Sequence, residues 1–506
     1  MRRLSLSPEI FLIPFSIIVI LSVTSNAYCD ELGSSITLEQ LQAKPRSAAR
    51  EQLDPPLTVQ PAAEPVPALK LRLYPASWTL KPGSALLHFC RAQIVYRDLS
   101  RDQRQKVQTE EWLDGTGEGE IPSDEEVRKM LISLEALFTE LHALAMSEDF
   151  KWDHRIRDLR GPDIFAYRLM DVQEVRALAR MLVLRMSIQL ADQDFVGFIS
   201  SAHDGLRLAE FVGQGEALIQ KLVGIAIATR MRQKIEQAIA TPGCPNLYWA
   251  LATVPQHLIR MGDSVLWELS NPSRVLTELT EAESESWTEA QAAQKWSALL
   301  EKLGELSGSE ADNDRLQIML AIAGGTLVGD AKSRLAANGY ATSKLTDMPG
   351  LQILLIDAAQ ELRRVGDEVG KAHLLPAIVG KTVAEREEKE LREWLSQNRS
   401  KSVAALIAGQ LFPAVRQAKE AETRRLMRFN RTLTLEAIRM HAAEHQGELP
   451  ESLEQLSPVP ALPDPYTGKA FDYSVQTIDG KQTISLKSAG FSDFKRLQTL
   501  RASFEK

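Results

Sequence analysis

Pro122-Ser123-Asp124-Glu125-Glu126-Val127-Arg128-Lys129-Met130-Leu131-Ile132-Ser133-Leu134-Glu135-Ala136-Leu137-Phe138-Thr139-Glu140-Leu141-His142-Ala143-Leu144 is the stretch that decides the fold. Ser123 followed by Glu126 forms a capping box: the hydroxyl accepts an orphan amide and the Glu side chain reaches back. Val127, Met130, Leu131, Leu134, Leu137, Phe138, Leu141 and Leu144 then recur at steps of three and four residues, which lays one apolar stripe along one face of a helix. Such a stripe leaves water only by packing on another helix, so the chain is expected to be mainly α.

The same pattern continues outward. Val172–Leu190, Phe195–Val212 and Glu216–Ala240 read as helices, with the short Ala191-Asp192-Gln193-Asp194 turn making the first two antiparallel neighbours. Thr241-Pro242-Gly243-Cys244-Pro245 ends the third, because Pro and Gly together cannot continue it. Leu178, Leu182, Leu190, Phe195, Ile199, Ala202, Leu206 and Ala209 make this pair similar to half of a tetratricopeptide-like hairpin, although no second copy recurs at a fixed period. Further helices are expected over Ser84–Leu99, Trp287–Leu306, Asp314–Ala323, Gly329–Ala337, Leu351–Val365, Glu385–Trp394 and Val403–Arg428. An acidic, Gly-broken loop over Glu110–Glu120 lacks the ligand ladder of an EF-hand.

Only the end changes character. Phe471, Tyr473 and Val475 alternate with polar residues, Asp479-Gly480 offers a two-residue turn, and Ile484 and Leu486 alternate again, which predicts a β-hairpin beside a helix from about Thr432 to His445. The fold class is therefore a helical-hairpin array with a small C-terminal α+β unit.

At the other end, Arg2 and Arg3 precede an apolar run, Ile10–Val23, that closes in Ser25-Asn26-Ala27. This is a secretory signal with cleavage after Ala27. As a helix the run spans about 21 Å, short of the roughly 30 Å of a bilayer's hydrocarbon core; a retained anchor is the alternative. From Asp30, Pro45, Pro55, Pro56, Pro61, Pro65 and Pro67 deny the backbone its regular donors, and the segment is expected to be an extended tether. The expected plan is a signal peptide over 1–27, a Pro-rich disordered linker over 28–68, an α-helical array over 69–430 and a small α+β tail over 431–506.

Composition bounds function. With 44% apolar and 25% charged residues the 506-residue chain carries enough apolar material for a large core, and a formal net charge of −8 supplies no basic field for nucleic acid. Cys29, Cys90 and Cys244 are too scattered for a zinc cluster or disulfide framework. A Cys90–Cys244 bridge and buried or free thiols both remain open.

The sharpest chemical motif is His441-Ala442-Ala443-Glu444-His445, the HxxEH pattern. On a helix the two rings, four residues apart, face one side and would hold zinc, leaving Glu444 to activate water. Such peptidases need a further carboxylate ligand from a later helix, and here Gly447 and Pro450 end the helix at once. A solvated or half-buried helix face is the other reading. His88, His142, His154, His203, His257 and His373 are scattered singly, and His203-Asp204 reads as a dyad in sequence only, since helix neighbours do not face each other.

Two resemblances follow. Leu435-Glu436-Ala437-Ile438-Arg439-Met440, Glu444-His445-Gln446-Gly447, Leu449-Pro450-Glu451-Ser452-Leu453 and Asp464-Pro465-Tyr466-Thr467-Gly468-Lys469 resemble the globular tail of type II secretion major pseudopilins, over about the last seventy residues. That resemblance implies a helix leading into short strands, and a calcium loop for which Asp464 and Asp472 are the positions. The chain lacks the pseudopilin's Glu-bearing assembly helix at its start, so filament membership is not implied. Pro61-Ala62-Ala63-Glu64-Pro65-Val66-Pro67-Ala68-Leu69-Lys70, Ile219-Gln220-Lys221-Leu222-Val223-Gly224-Ile225-Ala226 and Pro245-Asn246-Leu247-Tyr248-Trp249-Ala250-Leu251 resemble a family of exported bacterial helical proteins of no known activity. The functional expectation is an exported, non-catalytic scaffold that binds a protein or cell-envelope component, with no nucleic-acid partner and no stable membrane span once the signal is removed. The alternatives are a zinc-dependent hydrolase using His441, Glu444 and His445, and an accessory part of a secretion or pilus-like machine.

Overall fold

A computed structural model describes residues 55–101, 103, 104, 125–152, 155–161, 164, 170–307, 325–398, 401–411, 413–478, 480–489 and 499–505. The expected signal segment, the first part of the Pro-rich stretch, Ser123 of the expected capping box, the acidic stretch and the helix expected over Asp314–Ala323 lie outside these residues.

The chain is mainly helical, with a small sheet at its C-terminal end. Residues Ala85–Arg97 form α1, Glu125–Ser133 α2 and Glu135–Ala145 α3. The stripe from Val127 to Leu144 is buried throughout. It runs through two helices because Leu134, at φ −98° and ψ 11°, leaves helical geometry between them. Three consecutive helices follow, α4 over Met170–Ala191, α5 over Phe195–Gly213 and α6 over Leu218–Ile239, each packed on the other two. The turn before α5 is sharp: Gln193 takes a positive φ of 54°, and the Asp194 carboxylate caps the new helix by accepting from the Gly197 amide at 2.9 Å. Residue 224 must be glycine for α6 to approach α5 this closely, since a Cβ there would lie 2.6 Å from the Ala209 carbonyl oxygen.

After α7 (Tyr248–Ala252) come α8 (Gly262–Val275), α9 (Thr277–Ser284), α10 (Glu289–Ser307), a helical stretch over 325–337, α11 (Gly350–Lys371), α12 (Ala377–Asn398), α13 (Val403–Leu411) and α14 (Pro413–Glu444). The last runs on across the boundary expected at 430/431. Pro413 suits a first helical turn, where its missing amide hydrogen is not needed. Asn430 does not interrupt it, because its side-chain amide donates to the Pro463 carbonyl at 2.8 Å while Thr434 bonds back to the Asn430 carbonyl. From Met427 to Ala442 every side chain is buried, including Arg428, Arg431, Glu436 and Arg439. α6, α7, α8, α12 and α13 all pack on this helix.

The C-terminal sheet has the order β1-β6-β5-β4. β4 (Asp472–Ile478) and β5 (Lys481–Lys487) form the hairpin read from the sequence, Ile478 pairing with Lys481 across a two-residue loop. β6 (Thr499–Phe504) pairs antiparallel with β5. The remaining strand corrects the reading of the leader: β1, Leu57–Val59, pairs parallel with β6, and Val59 is 1% exposed. Prolines on either side confine it to three residues at a sheet edge, where proline is tolerated. Beyond β1 the leader stays docked, with the Ala62 amide donating to the Arg439 carbonyl at 3.1 Å. A second, two-stranded parallel sheet joins β2 (Lys81–Ser84) to β3 (Ser147–Asp149).

One buried polar knot joins the Pro-rich segment around Gln60, the segment before α7 and the long helix α14. Glu436 and Arg439, 0% and 1% exposed, pair at 2.7 Å on α14. Glu436 also accepts from the Leu247 amide at 2.5 Å, and Arg439 donates to the carbonyls of Gln60 at 2.8 Å and Cys244 at 3.1 Å. Asn246 adds bonds to the carbonyls of Glu436 and Ala62.

Candidate functional site

The HxxEH residues lie at the C-terminal end of α14. The His441 and His445 rings stack with centroids 4.0 Å apart and planes 17° apart. Each Nδ1 is engaged: that of His445 donates to the His441 carbonyl at 2.8 Å, and that of His441 accepts from the Ser457 amide at 3.4 Å. Burial, then neighbouring His445, holds His441 below the ordinary imidazole range. Glu444 is exposed, and among the described residues no third His, Cys, Asp or Glu joins the pair in a ligand cluster. The helix stops where expected, Gln446 and Gly447 turning to positive φ and the Gly447 amide bonding back to Ala442 at 2.7 Å.

Asp464 and Asp472 are not brought together in a ligand cluster among the described residues. Asp464, 1% exposed, is a loop staple: one carboxylate oxygen accepts from the Tyr466 amide at 3.0 Å, the other from the Ser488 hydroxyl at 2.8 Å and the Ala489 amide at 3.3 Å. The Asp-Pro loop is thereby tied to the end of β5. Asp472 is exposed on β4, an edge strand.

The structure does bring together residues that the sequence separates. His142 on α3 and His203 on α5 both place Nδ1 on the same Asp204 oxygen, at 3.0 and 2.9 Å. The expectation that adjacent His203 and Asp204 do not meet is therefore corrected. α3 packs against α5, and both side chains of the dyad are buried. Asp204 and His203 are buried, whereas the His142 side chain is 52% exposed. The hydrogen bond to Asp204 raises the pKa of His142, against burial and the nearby cations Lys81 and Arg185.

A cleft of about 300 Å³ opens where the start of α8, the turn between α11 and α12, and one face of α14 converge. Gly262 and the His373 carbonyl close one wall; a Cβ at 262 would sit 3.0 Å from that oxygen. Arg260, Asp263, Lys419 and Glu422 line the cleft together with His373 and Leu374. Lys419 is held in place by the Leu375 carbonyl at 3.0 Å and by Glu422 at 3.4 Å. His373 is 6% exposed and its Nδ1 has no hydrogen-bond partner. Burial, seconded by Lys419, pushes its pKa down to about 4, so the ring is neutral at pH 7. Arg425, buried beside Glu422, donates to the Gln256 carbonyl and is pushed down to about 10 by burial. Single histidines carry no sequence signal for such a cleft, because its walls come from three segments well separated in the chain, around Arg260, His373 and Glu422.

Cys90, exposed, and Cys244, buried, are not bridged. No helix among the described residues is long and apolar enough to cross a membrane. Set against family models, curated proteins and solved structures, the chain matches none of them.

Proposed function

We propose that the chain is an exported helical-hairpin scaffold, tetratricopeptide-like in its use of paired helices, that binds a partner protein of the cell envelope at the cleft between α8, α11–α12 and α14. The observation that carries this reading is the company the cleft keeps. Leu374 lines it at 59% exposure, and Ile378 and Val379 beside it are 45% and 55% exposed, an apolar patch of the kind that marks protein contacts. A cleft of this volume lies at the lower edge of those that hold small ligands. It suits one inserted side chain of a partner, with exposed Arg260 and Asp263 available for polar contacts at the rim. The dibasic start, the apolar run and Ser25-Asn26-Ala27 support the exported part of the reading.

The test is to pan a library of peptides from envelope proteins against the purified chain and against a Leu374→Asp, Val379→Asp variant. Both substitutions sit at exposed positions, and unchanged circular dichroism verifies the fold. Peptides bound by the wild type are expected to lose at least tenfold in affinity on the variant. Absence of binding peptides, or equal retention by both chains, overturns the proposal.

A further inference from the structure

His142, His203 and Asp204 set two imidazole nitrogens and a carboxylate oxygen within 4.8 Å of one another. The geometry points to a divalent transition-metal site built from these three side chains, with zinc the ion that its donors suit best. The site shares no residue with the cleft and does not depend on the binding reading given for it.

Spacing comes first. Ligands about 2.0–2.1 Å from a tetrahedral zinc stand about 3.4 Å from one another. The two Nδ1–Oδ1 separations are 3.0 and 2.9 Å and all three donor atoms lie within 4.8 Å of one another, so side-chain adjustment alone turns a hydrogen-bonded trio into a ligand set. Donor type comes second. Two imidazoles and one carboxylate favour borderline ions over magnesium and calcium, which take oxygen ligands. Support and access come third. His203 and Asp204 are fixed on α5, buried between neighbouring helices, and a Cβ at the next residue, Gly205, would run into Met231 of α6. His142 is half exposed, which leaves an outer position for water as a fourth ligand, the arrangement of open zinc sites.

The proton balance is simple. An imidazole that is neutral beforehand moves its proton from Nδ1 to Nε2 and offers the Nδ1 lone pair to the ion. A charged one already carries the Nε2 proton and releases its Nδ1 proton to solvent. The Asp204 carboxylate offsets part of the ion's charge where Lys81 and Arg185 would otherwise oppose it.

The experiment uses the tag-free full chain, stripped with a chelator and titrated with Zn²⁺ against a chromophoric competitor, then with Co²⁺ followed by visible absorption. One ion per chain is expected. His142→Ala and His142→Gln are expected to weaken zinc binding about 100-fold or more and to remove the intense visible bands of low-coordinate cobalt. His441→Ala is expected to leave both readouts unchanged. His142 is half exposed, so the variants are expected to melt as cooperatively as the wild type; the Gln variant keeps a polar side chain beside Asp204 should the Ala variant fail to fold. A wild-type chain that binds no stoichiometric zinc overturns the site. So do His142 variants that bind as wild type, and a loss that follows His441→Ala instead.

Discussion

Glu436→Gln is the substitution that bears hardest on how this chain is held together. Both Glu436 oxygens accept from fixed donors, one from Arg439 and the other from the Leu247 amide. The isosteric amide keeps the shape but turns an NH₂ toward one of those donors and leaves the Arg439 charge without its carboxylate. Breaking a buried ion pair by removing one partner costs about 3–5 kcal/mol. The expected value lies near 3, because Arg439 keeps the carbonyls of Gln60 and Cys244 as acceptors. Domains have stabilities of about 5–15 kcal/mol, so the loss is a large fraction of the total. Urea unfolding followed by circular dichroism measures it as a lower midpoint at unchanged slope. The double variant Glu436→Gln, Arg439→Met is expected to recover more than half of the loss, since replacing both charges removes the unpaired one. A Glu436→Gln chain within 1 kcal/mol of wild type would refute the reasoning.

Two further outcomes are expected. Folded His373 titrates near 4 whereas an unfolded histidine titrates near 6.5, so its contribution to stability is fully present above about pH 6.5 and is lost as pH falls toward 4. The difference in unfolding free energy between wild type and His373→Gln should therefore shift by roughly 3 kcal/mol between pH 7 and pH 4, and a pH-independent difference would contradict it. Burial, then the Glu436 charge, pushes the Cys244 thiol up to about 12, so alkylation mapped by mass spectrometry should find Cys244 unmodified in the native chain and reactive in urea, whereas exposed Cys90 reacts in both.

Legibility in the sequence followed the reach of each signal. α4, α5 and α6 could be bounded to within a few residues because their apolar periodicity, the short Ala191–Asp194 turn and the Pro242-Gly243 stop act locally. The hairpin was equally local, its loop set by Asp479-Gly480. β1 was not legible: three residues among prolines look like tether until β6, more than four hundred residues later, supplies the partner. α14 misled in another way. It was read as two helices, one ending at Arg428 and the next starting near Thr432, and the burial of Arg439 and Glu436 rests on distant groups: the Gln60 and Cys244 carbonyls accept from Arg439, and the Leu247 amide donates to Glu436. His142 and Asp204 lie 62 residues apart on different helices, so no local spacing could join them. The neighbour rule for helices argued against His203 and Asp204, because it describes pairs on a free helix surface and not a buried pair.

α14 is buried from Met427 to Ala442 and is the helix on which the segments around Gln60, Cys244 and Leu247 depend. Hydrogen–deuterium exchange resolved by peptide tests it most directly. Amides from Met427 to Ala442 are predicted to be the slowest in the chain, exchanging only as fast as global unfolding permits. Exchange there faster than in α5 and α6, at a rate insensitive to Glu436→Gln, would contradict it.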